Sequence, residues 1–149
     1  MTLYWLFAAL HLLALGIGLG AIWARGRALN HISDAASLQR VFVADNWWGA
    51  AALLWLITGL IRLFLLEKGT VYYFQNWLFL LKMALFLLVF LLELAPMITF
   101  IRWRIAVRRG VTPESTRALL FARISTVQAL LIIGMVLAAT GMARGYGAF

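Results

Sequence analysis

Residues 77–96 read WLFLLKMALFLLVFLLELAP. Over that length only Lys82 and Glu93 are charged. A helix needs about 20 mainly apolar residues to cross a bilayer, and this stretch has them. Three further stretches have the same character, at about 3–23, 47–66 and 124–142. The sequence therefore predicts an all-α integral membrane protein, a single transmembrane domain folded as a four-helix bundle. β-Barrel strands do not fit, because they alternate over only about 10 residues.

The composition agrees. Of 149 residues, 65% are hydrophobic and 12% charged, and the mean hydropathy is +0.96. Soluble domains are about half apolar and about a quarter charged. With Cys 0, disulfides, thiolate metal sites and cysteine nucleophiles are excluded. Four spans with short connections use most of the chain, so no separate soluble catalytic domain is expected within it. Nothing before Tyr4 is charged, while Arg25 and Arg27 follow the first run, so that run reads as a retained helix.

The net charge of +8 reads as an orientation signal and not as a nucleic-acid surface. Arg25, Arg27 and Arg40 lie between spans one and two. Arg102, Arg104, Arg108, Arg109, Arg117 and Arg123 surround the connection between spans three and four. The opposite side carries Arg62, Lys68 and Arg144. By the positive-inside rule both termini are expected outside, in the periplasm of a bacterial cytoplasmic (inner) membrane. Tyr4, Trp5, Tyr72, Tyr73, Trp77 and Tyr146 would form the outer aromatic belt. Trp23, Trp47, Trp48 and Trp103 would form the inner one.

Helix ends are marked too. SDAASLQR, from Ser33, is expected to cap a short amphipathic helix on the inner surface. The third helix should run past Pro96, kinked near Glu93, until Gly110 breaks it. The fourth should start in the cytoplasm at Thr112-Pro113-Glu114, with Thr112 as cap.

Small residues suggest packing faces, because close approach drives helix association in lipid. Gly16 and Gly20 form a GxxxG pair on the first span. Val127, Gly134, Ala138 and Gly141 share a face of the fourth, with Gln128 at its edge. These faces are expected to line the bundle interior.

Ionisable groups at membrane depth are costly and mark functional sites by default. His11, Arg62, Lys82 and Glu93 qualify, with Thr58 one turn before Arg62. His11 lies about 12 Å and Lys82 about 8 Å into their spans at 1.5 Å per residue. With Arg62 they could form one cationic or proton-active site. Glu93 follows Lys82 by eleven residues and Arg104 follows Glu93 by eleven, so all three share one helix face. Glu93 is expected to meet Arg25, Arg27 or Gln128. An imidazole at His11 suits iron or copper, and Arg62 and Lys82 suit an anion such as a haem propionate or a lipid headgroup. Each also has a structural reading: Arg62 and Lys82 as snorkelling side chains, His11 and Glu93 as hydrogen-bonded packing residues. Met83 and Met135 read as core before they read as soft ligands. No catalytic triad, phosphate loop or paired-carboxylate motif is present.

EKGTVYYFQNWLFLLKMALFLLVFL from Glu67, with ALHLLALGIGLG around His11, TGLIRLF around Arg62 and FIRWR after Pro96, resembles a bacterial family of predicted membrane proteins, domain of unknown function 2214. The resemblance covers nearly the whole chain and implies a four-span bundle without implying an activity. ALH in span one and WL-x-x-LK-x-AL entering span three are more distantly similar to bacterial membrane protoporphyrinogen oxidases and copper-resistance membrane proteins. That resemblance implies haem b, with His11 and Lys82 matching the family's histidine and lysine. Glu93 stands about where those enzymes carry a second histidine. Three roles follow as expectations: an accessory or binding subunit in a homo-oligomer or larger membrane complex, a haem-binding redox protein, and a proton-linked carrier.

Overall fold

A computed structural model describes residues 2–66 and 70–148. Lys68 and the rest of Glu67-Lys68-Gly69 lie outside the described residues, as does the side chain of Tyr72. The elements are α1 (Thr2–Leu29), α2 (Ala35–Ile61) continuing into a π-helical turn (Arg62–Leu66), the short α3 (Thr70–Phe74), α4 (Trp77–Arg108) and α5 (Ala118–Ala143). Four helices are long and apolar enough to cross a membrane. The protein is an all-α four-helix membrane bundle. α4 has 32 residues, hence about 48 Å of rise, which overshoots a hydrocarbon layer of about 30 Å. It runs unbroken through Pro96.

α1 packs on α2 and α5, and α4 packs on α5. Burial is modest because most apolar side chains, such as Leu12, Leu87 and Leu137, face outward. Three buried clusters stack along the bundle. At the arginine-rich end, Leu29, Val41, Phe42, Phe100, Trp103 and Phe121 pack together. Ile22, Trp48, Val89 and Ile132 fill the middle. Ala14, Trp55 and Met135 fill the far end.

The helix ends correct two expectations. Asp34 does cap, with its Oδ1 accepting from the Ser37 N–H at 2.7 Å while the Ser37 Oγ accepts from the Asp34 N–H at 2.9 Å. The helix it starts is α2 itself, so no separate surface helix exists there. Ser37, Leu38, Val41 and Phe42 are buried, and that docking carries the helix outward from the span. α5 begins at Ala118 and not at Thr112. Its first buried residues are Ala118, Phe121 and Ala122, while residues 114–117 are exposed and have no packing to hold a helix. Gly110 ends α4 at φ +75°, and the N–H groups of Gly110 and Val111 bond the Val107 and Ala106 carbonyls.

The small-residue faces are also corrected. Gly16 and Gly20 are exposed, with nothing within 4 Å of a Cβ at either. The close approach belongs to Gly18, where a Cβ would stand 3.3 Å from the Trp48 ring. On α5, Val127 is 45% exposed, whereas Gln128 is fully buried at the centre of the packed face. Ala138 is buried, and Cβ atoms on Gly134 and Gly141 would meet Leu85 and Leu78 of α4.

Candidate functional site

Arg25 sits on the inner stripe of α1 with Ala14, Gly18, Ile22 and Leu29, spaced by three and four residues. It is fully buried. All five of its N–H groups are used. Nε donates to Ser125 Oγ at 3.2 Å, Nη1 to Asp45 Oδ1 at 3.0 Å and Glu93 Oε1 at 2.6 Å, and Nη2 to Glu93 Oε2 at 2.8 Å and Gln128 Oε1 at 3.0 Å. Gln128 Nε2 donates in turn to Glu93 Oε2 at 2.9 Å and to the Val89 carbonyl at 3.1 Å. Arg104 donates to Asp45 Oδ2 at 2.8 Å and to the Phe42 carbonyl at 3.2 Å. The Arg25 and Arg104 guanidinium carbons lie 5.6 Å and 5.1 Å from the Phe100 and Phe42 ring centroids.

One cluster thus ties α1, α2, α4 and α5 together. Two guanidinium groups face two carboxylates, so its formal charge is zero. Neutrality and saturated hydrogen bonding are what make buried charge tolerable in an apolar surround. Among its side-chain polar atoms only Arg104 Nε is buried without a hydrogen bond. Asp45 and Glu93 are each 17% exposed at the side chain, so the cluster lies at the edge of the packed interior.

A second polar site lies toward the other end. Trp55 Nε1 donates to His11 Nε2 at 2.9 Å. Indole N–H only donates, so that imidazole nitrogen carries the lone pair and the ring proton sits on Nδ1. Nδ1 then donates to Thr58 Oγ1 at 2.9 Å, and the Thr58 hydroxyl donates to the Leu54 carbonyl at 2.7 Å. The ring edge is walled by Gly59, where a Cβ would come within 3.2 Å of His11 Cε1. Phe86 of α4 meets the Trp55 ring edge-on at 5.9 Å.

The residues singled out in the sequence therefore separate. Glu93 and Gln128 join Arg25 in one cluster. His11 and Thr58 form the other. Arg62 opens the π-helical turn just beyond Thr58, with its backbone N–H bonded to the Thr58 and Gly59 carbonyls. Lys82 is half-buried one turn before Phe86. Sequence reasoning missed Asp45, Ser125 and Trp55. Trp55 carried a signal: it lies mid-span, away from both aromatic belts, where its N–H needs an acceptor.

Haem ligation does not fit these residues. The His11 Nε2 lone pair is taken by Trp55 and Nδ1 is bound to Thr58. Glu93, where the oxidases carry a second histidine, is committed to Arg25.

The family described as Predicted membrane protein (DUF2214) matches residues 3–147. No curated protein and no solved structure matches the chain.

Proposed function

The chain belongs to the predicted membrane protein family DUF2214, and from that premise we propose that it is a non-enzymatic accessory or binding subunit. In this reading it packs in a homo-oligomer or a larger complex of the bacterial cytoplasmic membrane. One observation carries the reading: the interior polar groups are committed to one another. All five Arg25 N–H groups and both His11 ring nitrogens have intramolecular partners, so neither site offers an open nucleophile, base or metal ligand. The working surface is then the outside of the bundle. The arginine-rich end, with the α1–α2 and α4–α5 connections, faces the cytoplasm, and both termini face the periplasm.

Cross-linking in native membranes at native expression tests this reading. The expected result is a discrete band heavier than the monomer. A chain that stays monomeric would overturn the subunit role. The visible spectrum of protein in mild detergent tests the rival haem role. No Soret band is expected, before or after haem addition. A Soret band that disappears in His11→Ala would replace the subunit reading with a redox one.

A further inference from the structure

A groove of about 460 Å³ runs along the outside of the α1–α2 hairpin. That is within the range of small-molecule sites, about 300–1,000 Å³. It exists because its floor is made of small residues, Gly20 and Ala24 from α1 and Ala44 from α2, between walls that include Ile17 and Trp47. α1 and α2 run antiparallel, so Arg40 stands at the end nearer the connecting loop. From Arg40 to Trp47 the groove extends about 10 Å along α2. Arg40 is exposed and makes no hydrogen bond or ion pair among the described residues.

We propose that this groove binds an anionic phospholipid, with the phosphate on Arg40 and an acyl chain lying over Gly20 and Ala24. Arg40 also acts on the Asp34 carboxylate through its charge, without a hydrogen bond or salt bridge to it, and an apolar trough that ends in such an exposed cation is complementary to an amphiphile with a single anionic end. The position agrees. The arginine-rich end gathers the basic residues that draw a protein toward an anionic leaflet. Trp47, at the groove wall, suits the boundary between headgroups and chains. A second copy fits less well. A two-fold axis along the membrane normal would set both Arg40 side chains at the same depth in one interface, like charge against like. The proposal goes beyond the subunit role and stands whether or not a protein partner exists.

The test is native mass spectrometry of the full chain in mild detergent with dioleoyl-phosphatidylglycerol or dioleoyl-phosphatidylcholine. Wild type should retain about ten-fold more of the anionic lipid, the order expected of one well-placed charged contact. Arg40→Gln should abolish that preference. Gly20→Leu should cut retention of both lipids, since its side chain grows into open groove. Arg109→Gln, an exposed arginine outside the groove, should behave as wild type. If Gly20→Leu fails to fold, Arg40→Gln carries the test alone, because it replaces an exposed side chain that makes no hydrogen bond or salt bridge among the described residues. Equal retention of the two lipids, or an unchanged preference in Arg40→Gln, overturns the proposal. So does a dimer that disappears in Gly20→Leu, which would assign the groove to a second copy.

Discussion

Arg25 and Glu93, 68 residues apart, form a two-pronged ion pair in the bundle interior, with Nη1–Oε1 at 2.6 Å and Nη2–Oε2 at 2.8 Å. Such forks match the planar guanidinium to the planar carboxylate and are stronger than single contacts. Here the fork joins α1 to α4, two helices that otherwise reach each other mainly through α5. The fork forms only with the Arg25 face of α1 and the Glu93 face of α4 both turned inward.

Breaking one side of this fork should be far worse than removing both. Arg25→Met leaves Glu93 and Asp45 facing a single remaining arginine, and the expected loss is about 3–5 kcal/mol. Arg25→Met with Glu93→Met removes one charge of each sign and keeps the Asp45–Arg104 pair. It should recover most of that loss, although Gln128 and Ser125 lose partners. Denaturant titration in detergent micelles, run as a double-mutant cycle, measures the difference. Equal losses in the single and double variants would show that the charge balance is irrelevant to stability.

The His11 chain gives a graded prediction. Trp55→Phe removes the donor to Nε2 and should cost about 1–3 kcal/mol, by leaving a polar nitrogen without its partner. Thr58→Val should cost a similar amount through Nδ1. The double variant should cost less than the sum, because both bonds fix the same ring. The same denaturant titration reads this. Strict additivity would mean that the imidazole is held by its packing against Gly59 and not by the two hydrogen bonds.

Much of this was legible in the sequence. Four apolar runs fix four helices, and the eleven-residue spacing of Lys82, Glu93 and Arg104 places the last two on the face that meets Asp45 and Arg25. Arg25 and Gln128 are legible as partners of Glu93, and both bond it; the full burial of Arg25 is not. The positive-inside pattern explains an arginine near a span end so readily that its place on the Ala14–Ile22–Leu29 stripe carried no weight. Asp45 was lost for a related reason. The apolar run begins at Trp47, whereas the helix starts twelve residues earlier because Asp34 caps it and Val41 and Phe42 dock. Gly16 and Gly20 show the opposite error. GxxxG is a pattern of close approach, but α1 turns Gly18 inward and leaves the pair facing out.

The Asp34 cap predicts a pH dependence. A hydrogen bond from the Ser37 backbone N–H holds the Asp34 carboxyl below its ordinary value, with the charge of Arg40 acting the same way. A depressed carboxylate stabilises the fold above its unfolded pKa, about 3.9, and that contribution fades as pH falls through the lower folded value. The stability gap between wild type and Asp34→Ala should therefore be constant near neutrality and narrow only below about pH 4. Thermal melts in detergent at several pH values measure it. A gap that narrows between pH 8 and pH 6 would point to another titrating group.

Gly147 locks the turn after α5 onto the start of α4. Its carbonyl accepts from the Trp77 N–H at 2.9 Å, and next to it the Tyr146 carbonyl accepts from Asn76 Nδ2 at 2.9 Å. Asn76 is buried and caps α4 through the Leu78 N–H. At Gly147 φ is +86°, and a Cβ would fall 2.7 Å from Asn76 Oδ1 and 2.8 Å from Leu78 Cγ. Gly147→Ala combines a left-handed backbone with a collision, and strain of this kind costs about 1–3 kcal/mol. The clasp should open and not deform, because releasing the short turn after α5 breaks fewer contacts than moving α4. Hydrogen exchange should then speed at the Trp77 amide while the amides of α4 beyond its first turn keep their protection. Slowed or unchanged exchange at Trp77 would show that the clasp tolerates the methyl group.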